Sequence, residues 1–132
     1  THIYLLVGCA WPVWITSATP AAPQHVGVAA ASGVLVLGVL DAVASAAGAT
    51  FGRTRWPNSE KTVEGSIAGA VACAVSALAW AFLTGTLQSP RNAACICVVA
   101  ALSSMLEAFT AQIDNLVLPI FFFGLCKSFG IR

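Results

Sequence analysis

Between Val63 and Leu87 the chain reads VEGSIAGAVACAVSALAWAFLTGTL, with Glu64 as its only charge. About 20 such residues, wound into a helix, cross the ~30 Å hydrocarbon layer of a bilayer. The same chemistry recurs from Val26 to Gly52, from Ala93 to Gln112 and from Leu116 to Phe129, with a shorter stretch, interrupted by Pro12, from Ile3 to Ile15. Of the 132 residues, 58% are hydrophobic and 8% charged, where a water-soluble domain carries roughly a quarter charged. The runs are too long and too rich in alanine for strands. Backbone polar groups in hydrocarbon must be satisfied within their own segment, so the expected fold is all-α. It is a polytopic transmembrane helical bundle of four to five membrane helices.

Short polar breaks divide the runs. TSATPAAPQH, Thr16 to His25, is uncharged and proline-rich and reads as a turn. Arg53 to Thr62 is a polar loop, QSPRN at 88–92 is a clear break, and IDN at 113–115 separates the last two runs. Thr1 is no initiator and nothing at the start resembles a signal peptide. The chain is therefore expected to be a piece of a longer polytopic protein. Arg53, Arg55 and Lys61 on one side balance Arg91, Lys127 and Arg132 on the other, so loop charge leaves the orientation open. A net charge of +1 says nothing of a nucleic-acid partner, and as no basic patch supports one, none is expected. The five cysteines lie in apolar surroundings, and Cys95 with Cys97 is not a CxxC pair; small buried hydrophobes are the expected role.

The acidic residues are Asp41, Glu60, Glu64, Glu107 and Asp114. Glu60 belongs to the polar loop and Glu64 to a helix start, where the dipole favours it. Asp41 lies roughly 18 Å down a helix from Arg53, at ~1.5 Å per residue. Glu107 and Asp114 flank the polar patch EAFTAQIDN. Each mid-span acid costs roughly 3 kcal/mol, so three cost about 9, against a total stability of ~5–15 kcal/mol. Two things offset that: the basic loop folding back, or a bound divalent cation. Asp41, Ser45, Gly48 and Gly52 share one helix face, as do Glu107, Thr110 and Asp114. If every run crosses the membrane, the 53–62 loop and the 112–115 turn share a side, and the acids meet beneath the basic loop. Gly48 and Gly52 alone are a small-xxx-small helix-packing signal, and Trp56 and Trp11 read most simply as interfacial anchors.

The pattern Asp41-x-x-Ala44-x-x-x-Gly48-x-x-x-Gly52, then Arg55-Trp56-Pro57 and Lys61-Thr62-x-Glu64-Gly65, resembles the CTP-binding signature of the dolichol kinase family. A second stretch, Glu107-Ala108-x-Thr110-x-Gln112-x-Asp114-Asn115-x-x-x-Pro119, resembles that family's carboxyl-terminal signature. Glu60 stands where the family often has the first of two lysines. The related phytol and farnesol kinases share the first signature, but the extended EAFTAQIDN form resembles the dolichol branch more. Known members are much longer, so residues 1–132 are expected to form the C-terminal membrane catalytic region, with the nucleotide signature at 41–66 and the second acidic signature at 107–119.

The resemblance implies transfer of the CTP γ-phosphoryl group to the hydroxyl of dolichol or a related polyprenol, supplying a lipid carrier for glycosylation. It implies a multi-pass protein among endoplasmic reticulum membrane lipids, with its nucleotide site facing the cytosol. Asp41, Glu107 and Asp114 are then catalytic, with Asp41 and Asp114 on Mg²⁺ or another divalent cation, as hard oxygen ligands suit that ion. Glu107 stands between a supporting role and that of base. Ser45, Gly48, Gly52, Arg55, Lys61, Thr62, Glu64 and Gly65 would bind nucleotide, with free N–H groups at the helix start drawing the anion. Thr110, Gln112 and Asn115 would orient the alcohol. The rival readings are a CTP-using enzyme that makes CDP-lipids and releases pyrophosphate, a cation-conducting membrane protein with the acids along its path, and a structural helix-packing module.

Overall fold

The computed structural model describes residues 2–18, 27–110 and 114–131, with the backbone but not the side chain of Asp114. Helices dominate. α1 is His2–Ser17 and passes through Pro12. A π-helical segment, Val34–Asp41, runs without a break into α2, Ala42–Phe51. α3 is Val63–Leu83, α4 Pro90–Phe109 and α5 Asp114–Ser128. Three helices are long and apolar enough to cross a membrane, Val34–Phe51, Val63–Leu83 and Pro90–Phe109; α1 and α5 are shorter apolar helices. Most of the loop expected at Thr16–His25 lies outside the described residues; Thr16 and Ser17 belong to α1.

The helix ends follow local chemistry. α4 starts earlier than the apolar run implies, because Ser89 caps it by accepting from Asn92 N–H at 3.4 Å and Pro90 takes the first turn. α3 ends at Leu83 rather than Leu87. Gly85 adopts φ +69°, and Thr86 N–H reaches back to the Ala81 carbonyl at 2.9 Å, a Schellman closure. α5 closes likewise with Gly130 at φ +71° and Ile131 N–H on the Cys126 carbonyl. The helical face expected to carry Glu107, Thr110 and Asp114 together is interrupted. Thr110 is extended, and its N–H and hydroxyl both turn back to the Leu106 carbonyl at 3.0 Å, so Asp114 belongs to the next helix.

Small residues let the helices close on one another. α3 lies between α2 and α4, α1 packs on α5, and the π-helical segment packs on α3. A methyl group on Gly65 would stand 2.5 Å from the Ala44 carbonyl oxygen, and one on Gly69 2.8 Å from the Leu40 carbonyl oxygen, so the α2–α3 contact is backbone on backbone. Val36, Leu40, Cys73, Ala77, Val99, Leu118 and Phe122 form the buried centre. All five cysteines are free thiols, with Cys73 and Cys126 buried and Cys97 exposed. Among the described residues α2 follows α3 and keeps clear of α4. The gap so formed holds the site.

Candidate functional site

The 53–62 loop is a small folded unit. Trp56 N–H donates to the Lys61 carbonyl at 3.0 Å, Val63 N–H to the Thr54 carbonyl at 2.9 Å, and Arg55 pairs with Thr62 in a single antiparallel bridge. Asn58 turns the chain at φ 58°, a conformation asparagine tolerates better than most residues. Glu64, at the start of α3, accepts the Thr54 N–H on both carboxylate oxygens at 3.1 and 3.2 Å. Trp56 is not a loose interfacial anchor: its indole N–H donates to Ser66 Oγ at 3.0 Å, and its ring packs 5.4 Å from that of Phe109.

The loop then grips the end of α4. A helix leaves its last carbonyls without intrahelical donors. Here Lys61 Nζ donates to the Glu107 carbonyl at 2.8 Å and Ser59 Oγ donates to the Ala108 carbonyl at 2.9 Å. Lys61 also pairs with the Glu107 carboxylate at 2.5 Å, where Glu107 is 2% exposed and Lys61 29%. A cation at a helix C-terminus is favourable in its own right. Of the two offsets for intramembrane acids, the basic loop folding back is the one Glu107 uses. Beneath, Ser104 Oγ donates to the Ser66 carbonyl at 2.6 Å, joining α4 to α3.

A cleft of about 430 Å³ opens under this loop, lined by α2 (Ala44, Ser45, Gly48, Ala49), Gly52 just past its end, the loop (Arg55, Glu60, Lys61, Thr62), Ser66 and Glu107. Its volume lies in the usual ~300–1,000 Å³ range of ligand pockets. The structure thus brings together Ser45, Gly48, Gly52, Arg55, Lys61, Thr62 and Glu107 from the residues expected at a site. Arg55 is exposed and has no carboxylate partner among the described residues. Asp41 is half-buried at the junction of the π-helical segment and α2, one turn beyond Ser45 and outside the lining.

Other expected residues are engaged elsewhere. Glu64 holds Thr54, and Gly65 is buried against Ala44. Three of the N–H groups expected to draw an anion at the start of α3 are taken within the chain. Val63 N–H serves Thr54, Gly65 N–H serves Thr62 Oγ1 at 3.2 Å, and Ser66 N–H serves the Thr62 carbonyl. Gly48 and Gly52 do two things at once: a methyl on Gly48 would stand 2.8 Å from Thr62 Oγ1, and one on Gly52 2.5 Å from Thr62 Cγ2, yet both line the cleft. The Asn115 carbonyl abuts Gly8, a contact that joins α1 to α5. Gln112 and the Asp114 carboxylate lie outside the described residues. Among those described, no three His, Cys, Asp or Glu side chains form a metal-holding group.

Sequence reasoning missed Ser59, Ser66, Ser104 and the pairing of Trp56. The signal for Ser59 and Ser66 was their position beside Lys61 and Thr62, but a serine carries no periodicity to mark its partner.

The family model described as Cytidylyltransferase family matches residues 1–117. The dolichol kinase of Bos taurus is 40% identical over 125 residues, covering 92% of this chain and 23% of its own length. The Homo sapiens dolichol kinase is also 40% identical over 125 residues, with the same shares. Dolichol kinase EVAN of Arabidopsis thaliana is 35% identical over 130 residues, covering 95% of this chain and 22% of its own. The chain therefore spans less than a quarter of the length of these relatives. No solved structure matches it.

Proposed function

The chain belongs to the cytidylyltransferase family, and from that premise we propose that residues 1–132 are the C-terminal catalytic part of a CTP-dependent dolichol kinase. The observation that carries this reading is the Lys61–Glu107 pair. It ties the loop of the first signature to the helix end of the second, over a cleft at one end of a membrane bundle. The named relatives are dolichol kinases, which favours phosphoryl transfer to a polyprenol.

Phosphoryl transfer needs positioning and cancellation of phosphate charge more than it needs covalent chemistry. The exposed Arg55 guanidinium on the cleft rim suits phosphate oxygens as a planar fork, and Lys61 suits them as a point charge. Glu107 anchors Lys61 through its carboxylate. In the reaction the alcohol oxygen forms a bond to the γ-phosphorus, the bond from that phosphorus to the β-bridging oxygen breaks, and CDP leaves with the electron pair. The hydroxyl proton passes to one of the three carboxylates, Asp41, Glu107 or Asp114, the acceptor being one that does not hold the cation.

The carboxylate oxygens of Asp41 and Asp114 are hard ligands of the type that Mg²⁺ takes. Asp41 and Asp114 would hold it, and it would neutralise charge on the transferring phosphates. The polyprenol and surrounding lipids meet the cleft from the bilayer, and CTP meets it from water. In this reading the protein sits in the endoplasmic reticulum membrane with the cleft towards the cytosol.

The test is the full-length protein in lipid vesicles with γ-labelled CTP and dolichol. Label in dolichyl phosphate with CDP as co-product is expected. The family description gives weight to one rival, cytidylyl transfer; release of pyrophosphate with a cytidylylated lipid would establish it instead.

A further inference from the structure

Lys61 does not hold its place by its side chain alone. The residue two positions earlier, Ser59, sits half-buried at the turn made by Pro57 and Asn58, and its hydroxyl has two partners. It accepts the Lys61 backbone N–H at 3.2 Å and donates to the Ala108 carbonyl of α4 at 2.9 Å. Its own N–H closes the turn onto the Trp56 carbonyl at 3.2 Å. The adjacent carbonyl of α4, that of Glu107, takes the Lys61 ammonium. Two neighbouring orphan carbonyls of one helix end therefore receive the side chains of residues 59 and 61, and a third bond links those two residues directly.

We propose that Ser59 is a positioning residue for nucleotide binding: it sets the Lys61 backbone against α4, so that the ammonium stands at the cleft wall. The proposal rests on the kinase reading above and deepens it. A serine placed only to cap α4 would need the Ala108 bond and nothing else. The second bond, to Lys61 N–H, makes the same hydroxyl control where the Lys61 Cα stands. A long, flexible lysine side chain otherwise loses rotamer freedom when it is held in one place, and fixing its backbone reduces the range it can explore. Alanine at this position removes both bonds and leaves the Lys61–Glu107 pair free to drift with the loop. Threonine keeps the hydroxyl.

The experiment uses the full-length protein in lipid vesicles, with Ser59→Ala, Ser59→Thr, Lys61→Arg and the double variant Ser59→Ala/Lys61→Arg. Ser59→Ala should raise the KM for CTP about five- to tenfold, the effect of one or two lost hydrogen bonds, with kcat changed less than KM. Ser59→Thr should restore most of it. The double variant should be less than additive, because arginine already abandons the geometry that Ser59 enforces. Amide hydrogen exchange at Lys61, measured without nucleotide, should speed up in Ser59→Ala.

A merely structural cap would lower thermal stability but leave the KM of the folded enzyme unchanged and the double variant additive. That result overturns the proposal. If the wild-type protein transfers no phosphate from CTP, the kinase reading fails by itself, and the exchange measurement still decides whether Ser59 holds the Lys61 backbone. Unchanged exchange in Ser59→Ala would sink the positioning claim whatever the activity.

Discussion

The Lys61–Glu107 pair makes a sharp prediction because its two ends are unequally buried. Glu107 is 2% exposed and Lys61 29%. Breaking a buried pair from one side costs about 3–5 kcal/mol, whereas an exposed pair is worth about 0.2–1 kcal/mol. Lys61→Met strips the partner from a carboxylate that water barely reaches. Solvent at the lysine end relieves part of the penalty, so the lower figure, about 3 kcal/mol, is expected. Glu107→Gln leaves a neutral acceptor of the same shape, and the ammonium keeps the Glu107 backbone carbonyl and some water; about 1 kcal/mol is expected. The double variant Lys61→Met/Glu107→Leu removes both charges and should lie within about 1 kcal/mol of wild type. Stability would be read from denaturant unfolding of the full-length protein in detergent, followed by tryptophan fluorescence. Phosphate transfer would be assayed in parallel, and the double variant should be stable and inactive. Should Lys61→Met prove as stable as Glu107→Gln, the buried-carboxylate reasoning is wrong.

Two glycines should lose stability on substitution by alanine for different reasons. Gly65→Ala drives a methyl group against the Ala44 carbonyl oxygen and should cost about 1–3 kcal/mol by parting α2 from α3, whereas Gly85, with nothing within 4 Å, should lose only the roughly 1 kcal/mol of its positive φ; unfolding midpoints measure both. Trp56→Phe keeps a ring beside Phe109 but leaves Ser66 Oγ without the indole donor, at about 1 kcal/mol. Limited trypsin digestion should then cut faster at Arg53, Arg55 and Lys61, and an unchanged rate would show that the indole bond does not hold the loop.

Much of the architecture was present in the chain as written. Long alanine-rich apolar runs can satisfy their backbone in hydrocarbon only as helices, and the bundle follows from that. The same argument marked Glu107 as needing compensation and placed the 53–62 loop at its end of the bundle, and Lys61 does meet it there. Helix ends were less legible. Single-residue geometries decide them, such as Gly85 and Gly130 at positive φ and Thr110 turned back on Leu106, and periodicity does not register these.

Tertiary structure alone decided how the polar groups divide their work. Gly48, Gly52 and Gly65 were expected at a nucleotide, but Gly65 lets backbone meet the Ala44 carbonyl and Gly48 and Gly52 make room for the Thr62 side chain, because a helix face that admits a ligand closely admits another part of the chain as well. The N–H groups of Val63, Gly65 and Ser66 at the start of α3 looked available in sequence and are consumed by Thr54 and Thr62 once the loop folds. Ser59 carries no pattern at all; its meaning arises only when a helix end distant in sequence presents carbonyls in need of a donor. Hydrophobicity is a property of each residue and is written in the chain. Hydrogen-bond pairing belongs to two residues at once, and only the folded arrangement brings the second one near.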